Sequence, residues 1–175
     1  FIGFHVAKNL ILQNHDLVGL DNLNDYYDIQ LKLDRLKQTG IDVNEIEYNK
    51  INICKLSPNY KFIKINIEDI ESLDRLFSEY KFDKVIHLAA QAGVRNSIEN
   101  PKCYIDSNIV GFFNVIECCR KYSVKHLIFA SSSSVYGNNN KIPFSESDFV
   151  DHPISLYAAT KKCNELIAYT YSHLY

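Results

Sequence analysis

Segments in which apolar residues recur at helical spacing alternate along the chain with short apolar runs. A period near 3.6 residues predicts a helix, and an apolar run of roughly four to eight residues predicts a strand. Helices are predicted over residues 4–14, 29–38, 67–80, 101–122 and 153–175, and strands over 16–21, 60–66, 84–90 and 125–131. Strand and helix therefore alternate, which predicts an α/β fold: a doubly wound parallel sheet with helices on both faces.

Two of the predicted strands are almost entirely apolar. Residues 85–90 read Val-Ile-His-Leu-Ala-Ala and residues 127–130 read Leu-Ile-Phe-Ala. Strands of this kind are typical of parallel sheets, so both are expected to be buried on both faces. Residues 41–59 are rich in Asn and have no clear period, and they are interpreted as an insertion or a long connection.

Composition and charge exclude several classes of protein. The 175 residues include 19 Lys plus Arg and 21 Asp plus Glu, giving a formal net charge of -2 with no basic cluster. That balance argues against a dedicated nucleic-acid binder. With 46% apolar and 23% charged residues, the chain has the composition of an ordinary domain with a core. No apolar run approaches the roughly 18 residues that a membrane span needs, so the visible segment is expected to have no membrane contact.

The cysteines predict neither a disulfide framework nor a metal site. They are five in number, two of them are adjacent, and no Cys-x-x-Cys pair occurs. They are expected to be mostly small buried side chains of a protein in a reducing compartment, which predicts a cytoplasmic location. Their positions are Cys54, Cys103, Cys118, Cys119 and Cys163.

The start of the chain predicts that it is a fragment. No Met is present, and the sequence opens inside an apolar pattern, Phe1-Ile2-Gly3-Phe4. We therefore expect further sequence before residue 1, and such a segment could hold a membrane anchor that the visible chain does not show.

Polar residues that carry chemistry follow the predicted strands. Ligands bind beyond the carboxyl ends of the strands in such sheets. Asp21 follows the first strand, Asn66 the second, Gln91 the third, and the run Ser131 to Ser134 the fourth. An acid after the second strand of a dinucleotide fold accepts hydrogen bonds from a ribose, and Asp21 lies 18 residues after Gly3. The alternative for Asp21 is a turn or helix cap.

Tyr157 and Lys161 lie four residues apart in a predicted helix and therefore share a face. A Lys ammonium beside a phenol favours the phenolate and lowers a Tyr pKa from about 10, which makes the Tyr usable as a base. The same spacing occurs twice elsewhere in the chain. Only the pair Tyr157 and Lys161 has a serine cluster upstream, at the end of an apolar strand.

Taken together, these residues resemble the extended short-chain dehydrogenase/reductase family of NAD-dependent nucleotide-sugar epimerases and dehydratases. The similarity rests on Phe1-Ile2-Gly3, Asp21-Asn22, His87-Leu88-Ala89-Ala90, Asn108, Ser131 to Gly137 and Tyr157-x-x-x-Lys161. Within the family the chain is most similar to the UDP-glucuronate 4-epimerases. That similarity rests on the runs Asp21 to Tyr27, Ala90 to Arg95, Ala130 to Gly137 and Ser155 to Lys162. It covers nearly the whole chain and is weakest over residues 41–59.

The resemblance implies that residues 1–175 form part of one NAD-binding Rossmann-like domain. The family fingerprint Gly-x-x-Gly-x-x-Gly keeps only its last glycine, Gly3, so the first strand is expected to be missing. The C-terminal substrate domain of the family is expected to be absent as well. The implied partners are a UDP-sugar substrate and, in the whole protein, a second copy in a homodimer.

The resemblance also assigns roles to residues. The implied catalytic residues are Ser132, Tyr157 and Lys161, with Ser134 as the reserve for Ser132. The implied NAD-binding residues are Phe1, Ile2, Gly3, Asp21, Asn22, Asn66, Ile67, Leu88, Ala89, Ala90, Gln91, Asn108, Ala130, Tyr157 and Lys161. The implied substrate-binding residues are Arg95, Ser132, Ser133 and Tyr157. Many relatives have Asp where this chain has Asn66, but an amide can still accept a hydrogen bond.

The activity implied is NAD-dependent epimerisation at C4 of a nucleotide sugar, most similar to conversion of UDP-glucuronate to UDP-galacturonate. The family's dehydratases carry an acidic pair just after the catalytic hydroxyl, and its decarboxylases carry a Glu two residues before Tyr-Gly; here Ser133 and Ser134 stand at those places. Arg95 suits bidentate binding of the sugar carboxylate, and contact with a phosphate or a neighbouring acid is the alternative. UDP-glucose 4-epimerase, another nucleotide-sugar epimerase or dehydratase, and a non-catalytic dinucleotide-binding protein remain open.

Overall fold

A computed structural model describes residues 1–175 and divides them into two compact units, Phe1–Asn66 and Ile67–Tyr175. The first unit contains α1 (Ile2–Leu12), β1 (Leu17–Asp21), α2 (Ile29–Gln38), β2 (Ile51–Ile53) and β3 (Tyr60–Lys64). The second unit contains α3 (Ile70–Tyr80), β4 (Lys84–His87), α4 (Asn96–Glu99), α5 (Pro101–Tyr104), α6 (Phe112–Lys121), β5 (His126–Phe129) and α7 (Leu156–Leu174). The predicted α/β class, with parallel strands and alternating helices, is confirmed.

The first unit is built on a three-stranded sheet in the order β1-β3-β2. β1 and β3 are parallel, with Leu17 opposite Tyr60 and Asp21 opposite Lys64. The core of the unit gathers apolar residues from the sheet, the helices and the connection between them. Its buried members are Leu23, Ile41, Cys54, Tyr60 and Phe62, and Ile11, Leu17, Leu33, Leu36 and Ile46 pack against them.

The interpretation of residues 41–59 as a connection was wrong for its central part. β2 pairs there with β3 in the antiparallel direction, with Ile51 opposite Ile63. A three-residue strand is too short to show a period of two, and Asn52 within it suggests a loop. The structure buries Asn52, whose amide donates to the carbonyl of Lys50 at 3.0 Å, so the polar side chain is satisfied inside the unit.

The second unit has a two-stranded sheet in which β4 and β5 are parallel, with His87 opposite Phe129. The prediction that these strands are buried on both faces was wrong. Ile86 is 41% exposed and Ile128 is 44% exposed, whereas His87 is buried. Successive side chains of a strand point to opposite faces, so the helices of this unit cover only one face of its sheet. Apolar composition alone does not say which face is covered.

The helix predicted over residues 101–122 is present but interrupted. Pro101 occupies its first turn in α5, and a π-helical stretch, Ile105–Gly111, separates α5 from α6. Gly111 lies so close to Ile67 that a Cβ there would be 2.5 Å from Ile67 Cγ1. The Asn114 side chain donates to the carbonyls of Ile67 and Glu68 at 3.0 and 3.1 Å, which fixes this helix against residues 67–68.

A polar loop connects β5 to α7. It begins with a 3₁₀ turn, Ser133–Tyr136, that ends at Gly137. Gly137 has φ +57°, and a Cβ there would lie 2.2 Å from the carbonyl oxygen of His152. Only glycine fits this position, because a side chain would collide with the returning backbone of the loop.

All five cysteines are free, and three of them, Cys54, Cys118 and Cys119, are buried. Burial raises the pKa of Cys118 to about 11 and that of Cys119 to about 12, so both thiols are protonated at neutral pH. No three His, Cys, Asp or Glu side chains are grouped so as to hold a metal ion. None of the helices combines the length and the apolar character that a bilayer crossing requires.

Candidate active site

Helix α7 carries the predicted Tyr157 and Lys161 one turn apart. Ser155 caps the helix, its Oγ accepting from the N–H of Ala158 at 3.1 Å. Lys161 is 3% exposed and its Nζ donates to the carbonyl of Ala130 at 3.1 Å, at the end of β5. Burial lowers the pKa of Lys161 below its usual range. The ammonium is therefore poorly screened and is held at a fixed place beside the strand end.

The ring of Tyr157 packs edge to face against Tyr104, with 6.2 Å between the centroids. Tyr104 in α5 is fully buried, and its phenol proton is shared between the carbonyls of Ala92 and Gly93 at 2.6 and 2.8 Å. The same oxygen accepts from the Asn96 side chain at 3.1 Å. Tyr104 thus joins Tyr157 to the loop after β4, a role that sequence reasoning missed because the contacts span 8–53 residues without a local period.

The serine run is organised by hydrogen bonds within itself. Ser132 Oγ accepts from the N–H of Ser134 at 3.1 Å and donates to Ser134 Oγ at 3.1 Å. Ser131 Oγ donates to Glu165 on α7 at 2.5 Å, and Ser133 is exposed. Ser132 therefore has its hydroxyl proton committed inside the run, whereas Ser134 donates its own to no protein group.

Arg95, the residue predicted to bind the sugar carboxylate, is exposed on the loop after β4. It directly precedes α4, and its side chain makes no hydrogen bond or ion pair within the chain. Gly93, two residues earlier, has φ +100°, a conformation that favours glycine, so the loop turns sharply just before Arg95. The guanidinium is chemically available to an anion from outside the chain.

Asp21 closes β1 and makes the turn-capping bond that was the alternative prediction for it. Its Oδ1 accepts from the N–H of Leu23 at 2.7 Å, which is a turn-capping bond, and from Lys32 Nζ at 3.2 Å. Its Oδ2 makes no hydrogen bond. Lys32 also donates to Asn24 at 2.9 Å, so a cation that sequence reasoning missed sits beside the acid. The side chain of Asp21 is 45% exposed, which leaves Oδ2 accessible to a hydroxyl donor.

The other predicted cofactor residues are divided between the two units. In the first unit, Phe1, Ile2 and Gly3 lie at the start of α1, Asn22 follows Asp21 and caps the N–H of Asn24, and Asn66 is exposed after β3. In the second unit, Ile67 is 7% exposed beneath Gly111, and Leu88, Ala89, Ala90 and Gln91 form the segment that follows β4. The side chain of Asn108 is buried. Its carbonyl oxygen accepts from the N–H of Gln91, and its NH2 group donates to the carbonyl of Gln91.

His87, the last residue of β4, is a buried titratable group to which the sequence assigned no role. It is 8% exposed and its ring lies 5.5 Å from that of Phe112. Burial, with a smaller contribution from the charge of Lys161, lowers the pKa of His87 to about 4. The imidazole is therefore neutral at pH 7, and its proton equilibrium is coupled to folding.

We expect acid to destabilise the protein partly through His87. Its pKa is about 4 in the folded state against 6.5 ordinarily. As pH falls from 6.5 to 4, the unfolded chain binds a proton that the folded chain does not. The free energy of unfolding therefore falls, by up to about 3 kcal/mol. His87→Leu should flatten this slope in urea unfolding at several pH values, and exposed His126→Leu should not. If the free energy of unfolding of His87→Leu depends on pH as steeply as that of the unmodified protein, His87 is not the source of the effect.

The fold and this site define a Rossmann-type α/β protein with a Tyr-x-x-x-Lys pair on the helix after a parallel strand. Residues 1–175 match the family described as GDP-mannose 4,6 dehydratase, and the chain belongs to that family. The resemblance stated from the sequence is thereby confirmed.

Three similar proteins indicate where the chain stands in the family. Protein CapI of Staphylococcus aureus is 53% identical over 175 residues, which are all of this chain and 48% of CapI. A UDP-glucuronate 4-epimerase of Thermodesulfobacterium geofontis is 45% identical over 175 residues, again all of this chain and 49% of the relative. The crystal structure of Thermus thermophilus UDP-glucose 4-epimerase in complex with NAD superimposes with a TM-score of 0.77 at 29% identity, covering 100% of this chain and 49% of that one. The chain spans about half the length of the curated relatives it matches.

Proposed function

We propose that the protein containing this chain is an NAD-dependent nucleotide-sugar 4-epimerase that interconverts UDP-glucuronate and UDP-galacturonate. The observation that carries the proposal is the pair on α7, in which buried Lys161 is anchored to Ala130 one turn from Tyr157. Relatives named UDP-glucuronate 4-epimerase at 45–46% identity support the substrate.

The residues present fit NAD. Asp21 offers an uncommitted, half-exposed carboxylate oxygen to a ribose hydroxyl, and Lys161 has ammonium protons beyond the one given to Ala130. We propose that NAD is held by the residues that the resemblance assigned, Phe1, Ile2, Gly3, Asp21, Asn22, Asn66, Ile67, Leu88 to Gln91, Asn108, Ala130, Tyr157 and Lys161. When bound, NAD supplies a hydride acceptor that takes hydride from the sugar C4 and returns it.

Proton transfer is assigned to the chain's own residues. Tyr157 Oη takes the proton of the sugar 4-hydroxyl as the ketone forms and gives it back as the hydroxyl is restored on the other face. The ammonium of Lys161 stabilises the negative charge on that phenolate oxygen and binds the nicotinamide ribose. Ser132 donates to the sugar oxygen, which requires it to release Ser134, and the edge of Tyr104 holds the ring of Tyr157 in place.

Two features bear on which sugar is used. The guanidinium of Arg95 has no partner in the chain and suits a carboxylate through two parallel hydrogen bonds. Ser133 and Ser134 supply no carboxylate for eliminating water, which favours epimerisation over dehydration. UDP-glucose 4-epimerase is the second candidate, because UDP-glucose epimerases superimpose on the entire chain.

The test is an assay of the whole protein with UDP-glucuronate and UDP-glucose in parallel, with products separated by chromatography. We expect UDP-galacturonate to form, and Arg95→Gln to slow that reaction more than any reaction with UDP-glucose. If the protein turns over UDP-glucose but not UDP-glucuronate, the second candidate, UDP-glucose 4-epimerase, is the correct function. Turnover of no nucleotide sugar would refute the proposed activity.

We expect the whole protein to bind NAD at least about tenfold more tightly than NADP, because a 2′-phosphate would approach the carboxylate of Asp21. In Asp21→Asn the repulsion is removed and Lys32 loses its ionic partner, so NADP should gain affinity. Competitive binding measures both ratios, with the surface variant Asp34→Asn as the control. Equal or tighter binding of NADP to the unmodified protein would contradict the role of Asp21.

The choice between two serines is also open to measurement. We expect Ser132→Ala to lower kcat by about a hundredfold, since it removes the hydroxyl that meets the sugar oxygen. Ser147→Ala, at an exposed position of the loop before α7 to which no role is assigned, is the control. If Ser132→Ala is fully active and Ser134→Ala is inactive, the reserve residue Ser134 holds the role.

Three further expectations stay predictions. The helices α6 and α7 expose Phe113, Leu166 and Tyr169, which supports a homodimer, and sedimentation velocity of the whole protein measures its oligomeric state. A cytoplasmic location and the absence of a nucleic-acid partner rest on composition.

A further inference from the structure

The backbone leaves the sheet of the second unit just before the serine run. One residue beyond the end of β5, the N–H of Ala130 still donates to the carbonyl of His87 at 3.2 Å. The next residue, Ser131, is exposed, and its backbone makes no hydrogen bond within the chain. Ser132, the residue proposed to meet the sugar oxygen, follows directly. The position of Ser132 relative to the sheet therefore depends on what holds the side chain of Ser131.

The side chain of Ser131 is held by helix α7. Its Oγ donates to Oε1 of Glu165 at 2.5 Å, although the two residues are 34 positions apart in the chain. A hydrogen bond from a hydroxyl to a carboxylate is charge-assisted, so it is shorter and stronger than a bond between two neutral groups. Ser131 makes no other hydrogen bond, and Glu165 therefore fixes the first serine of the run.

Glu165 continues the row of α7 side chains that contains the proposed catalytic pair. It lies four residues after Lys161 and eight after Tyr157, so the three lie along one side of the helix, one turn apart. Lys161 donates to the carbonyl of Ala130 at 3.1 Å, and Glu165 holds the residue after Ala130. Two successive turns of α7 thus bind two successive residues beyond β5. A single bond would fix one point of this backbone, whereas two bonds also fix the direction in which it enters the serine run.

We propose that Glu165 is a positioning residue that holds Ser132 in place for the sugar oxygen by binding Ser131. The proposal rests on the proposed function for its catalytic consequence. A misplacement of about 1 Å can lower a rate up to about a hundredfold, so a bond next to Ser132 affects turnover without taking part in it. The alternative is that Glu165 only stabilises α7, through the ion pair of its Oε2 with Lys162 at 3.7 Å.

Substitutions of Glu165 and Lys162 distinguish the two roles. Glu165→Leu removes the acceptor, and we expect kcat to fall at least about fivefold while the Kd for NAD and the KM for the sugar change less than about twofold. Glu165→Gln keeps an oxygen that accepts from Ser131 and should restore kcat to within about twofold. Lys162→Met is the matched control, because it removes the ion pair and leaves the hydrogen bond. A fully active Glu165→Leu, or equal losses in Glu165→Leu and Lys162→Met, would overturn the proposal.

Double-mutant cycles test whether Glu165 acts through the serines. Ser131→Ala should lower kcat as Glu165→Leu does, and the two changes together should cost no more than either alone, because both break the same bond. Ser131→Ala also serves in place of Glu165→Leu if the latter fails to fold. In a Ser132→Ala background, Glu165→Leu should have no further effect on kcat. A further loss in that background would show that Glu165 acts on a group other than Ser132, which contradicts the proposal.

Hydrogen exchange gives a readout that does not depend on turnover. The N–H groups of Val135 and Gly137 donate to carbonyls within the 3₁₀ turn of the serine run, each at 3.1 Å. We expect both amides to exchange faster in Glu165→Leu than in the unmodified protein or in Lys162→Met, because the start of the turn is no longer held. Unchanged exchange in Glu165→Leu refutes the positioning role even if activity is lost. If the whole protein turns over no nucleotide sugar but the exchange responds as expected, the proposed function fails and the attachment of the serine run to α7 stands.

Discussion

Replacing Tyr157 by phenylalanine should lower kcat at least about a hundredfold, the largest effect we expect of any single substitution. The change deletes one oxygen, the atom proposed to exchange a proton with the sugar 4-hydroxyl. The ring that packs against Tyr104 at 6.2 Å is kept, so the fold and the affinity for NAD should be retained. Steady-state turnover of UDP-glucuronate and equilibrium NAD binding, measured on the same preparation, check both halves of this expectation.

The matched control is Tyr169→Phe on the same helix. Tyr169 is 77% exposed, so loss of its hydroxyl should leave kcat within about twofold of the unmodified value. If Tyr157→Phe has the same kcat as Tyr169→Phe, another group transfers the proton and the role assigned to Tyr157 is wrong.

Lys161→Met should be nearly as severe. Methionine fills a similar volume without the ammonium, so the charge of a residue one turn from Tyr157 and the bond to Ala130 both disappear. Because Lys161 is 3% exposed, its charge acts through a medium that screens poorly, and we expect kcat to fall about a hundredfold or more. NAD binding should also weaken, which distinguishes this variant from Tyr157→Phe.

The protein's stability gives Lys161→Met a second signature. Removing a cation that burial disfavours should leave the melting temperature unchanged or raise it, so lost activity cannot be ascribed to unfolding. Lys162→Met is the control, since its Nζ lies 3.7 Å from Glu165 in a weak helical ion pair. Equal losses of kcat in Lys161→Met and Lys162→Met would show that the effect is not specific to Lys161.

Features encoded by local spacing could be predicted from the sequence. The bounds of α2 match the prediction, and β1, β3 and α7 differ from theirs by a few residues, because each has a clear period and an end signal such as Asp21 or Ser155. The pair Tyr157 and Lys161 was predictable for the same reason, since residues four apart share a helix face.

Features that depend on distant partners could not be predicted in this way. The ion pair of Lys32 with Asp21 and the bonds of Tyr104 to Ala92 and Gly93 join residues 11 or more positions apart. Which face of β4 is covered depends on which helices lie over it, and the apolar pattern of the strand does not indicate this. Each of these decides how the candidate site works rather than whether the fold forms.

The π-helical stretch Ile105–Gly111 has a consequence for how this region tolerates changes of length. A wide turn holds one residue more than the α-helix it interrupts, so deleting one residue there would convert it to regular helix. The turns on either side would keep their orientation, because Tyr104 and Phe112 would be seven residues apart, and residues seven apart lie on the same face of an α-helix. A one-residue deletion inside α6, by contrast, would turn the residues on one side of it by about 100°, since each residue of an α-helix accounts for that rotation. Loss of one residue should therefore disturb the packing of this long helix less in the π-helical stretch than in α6.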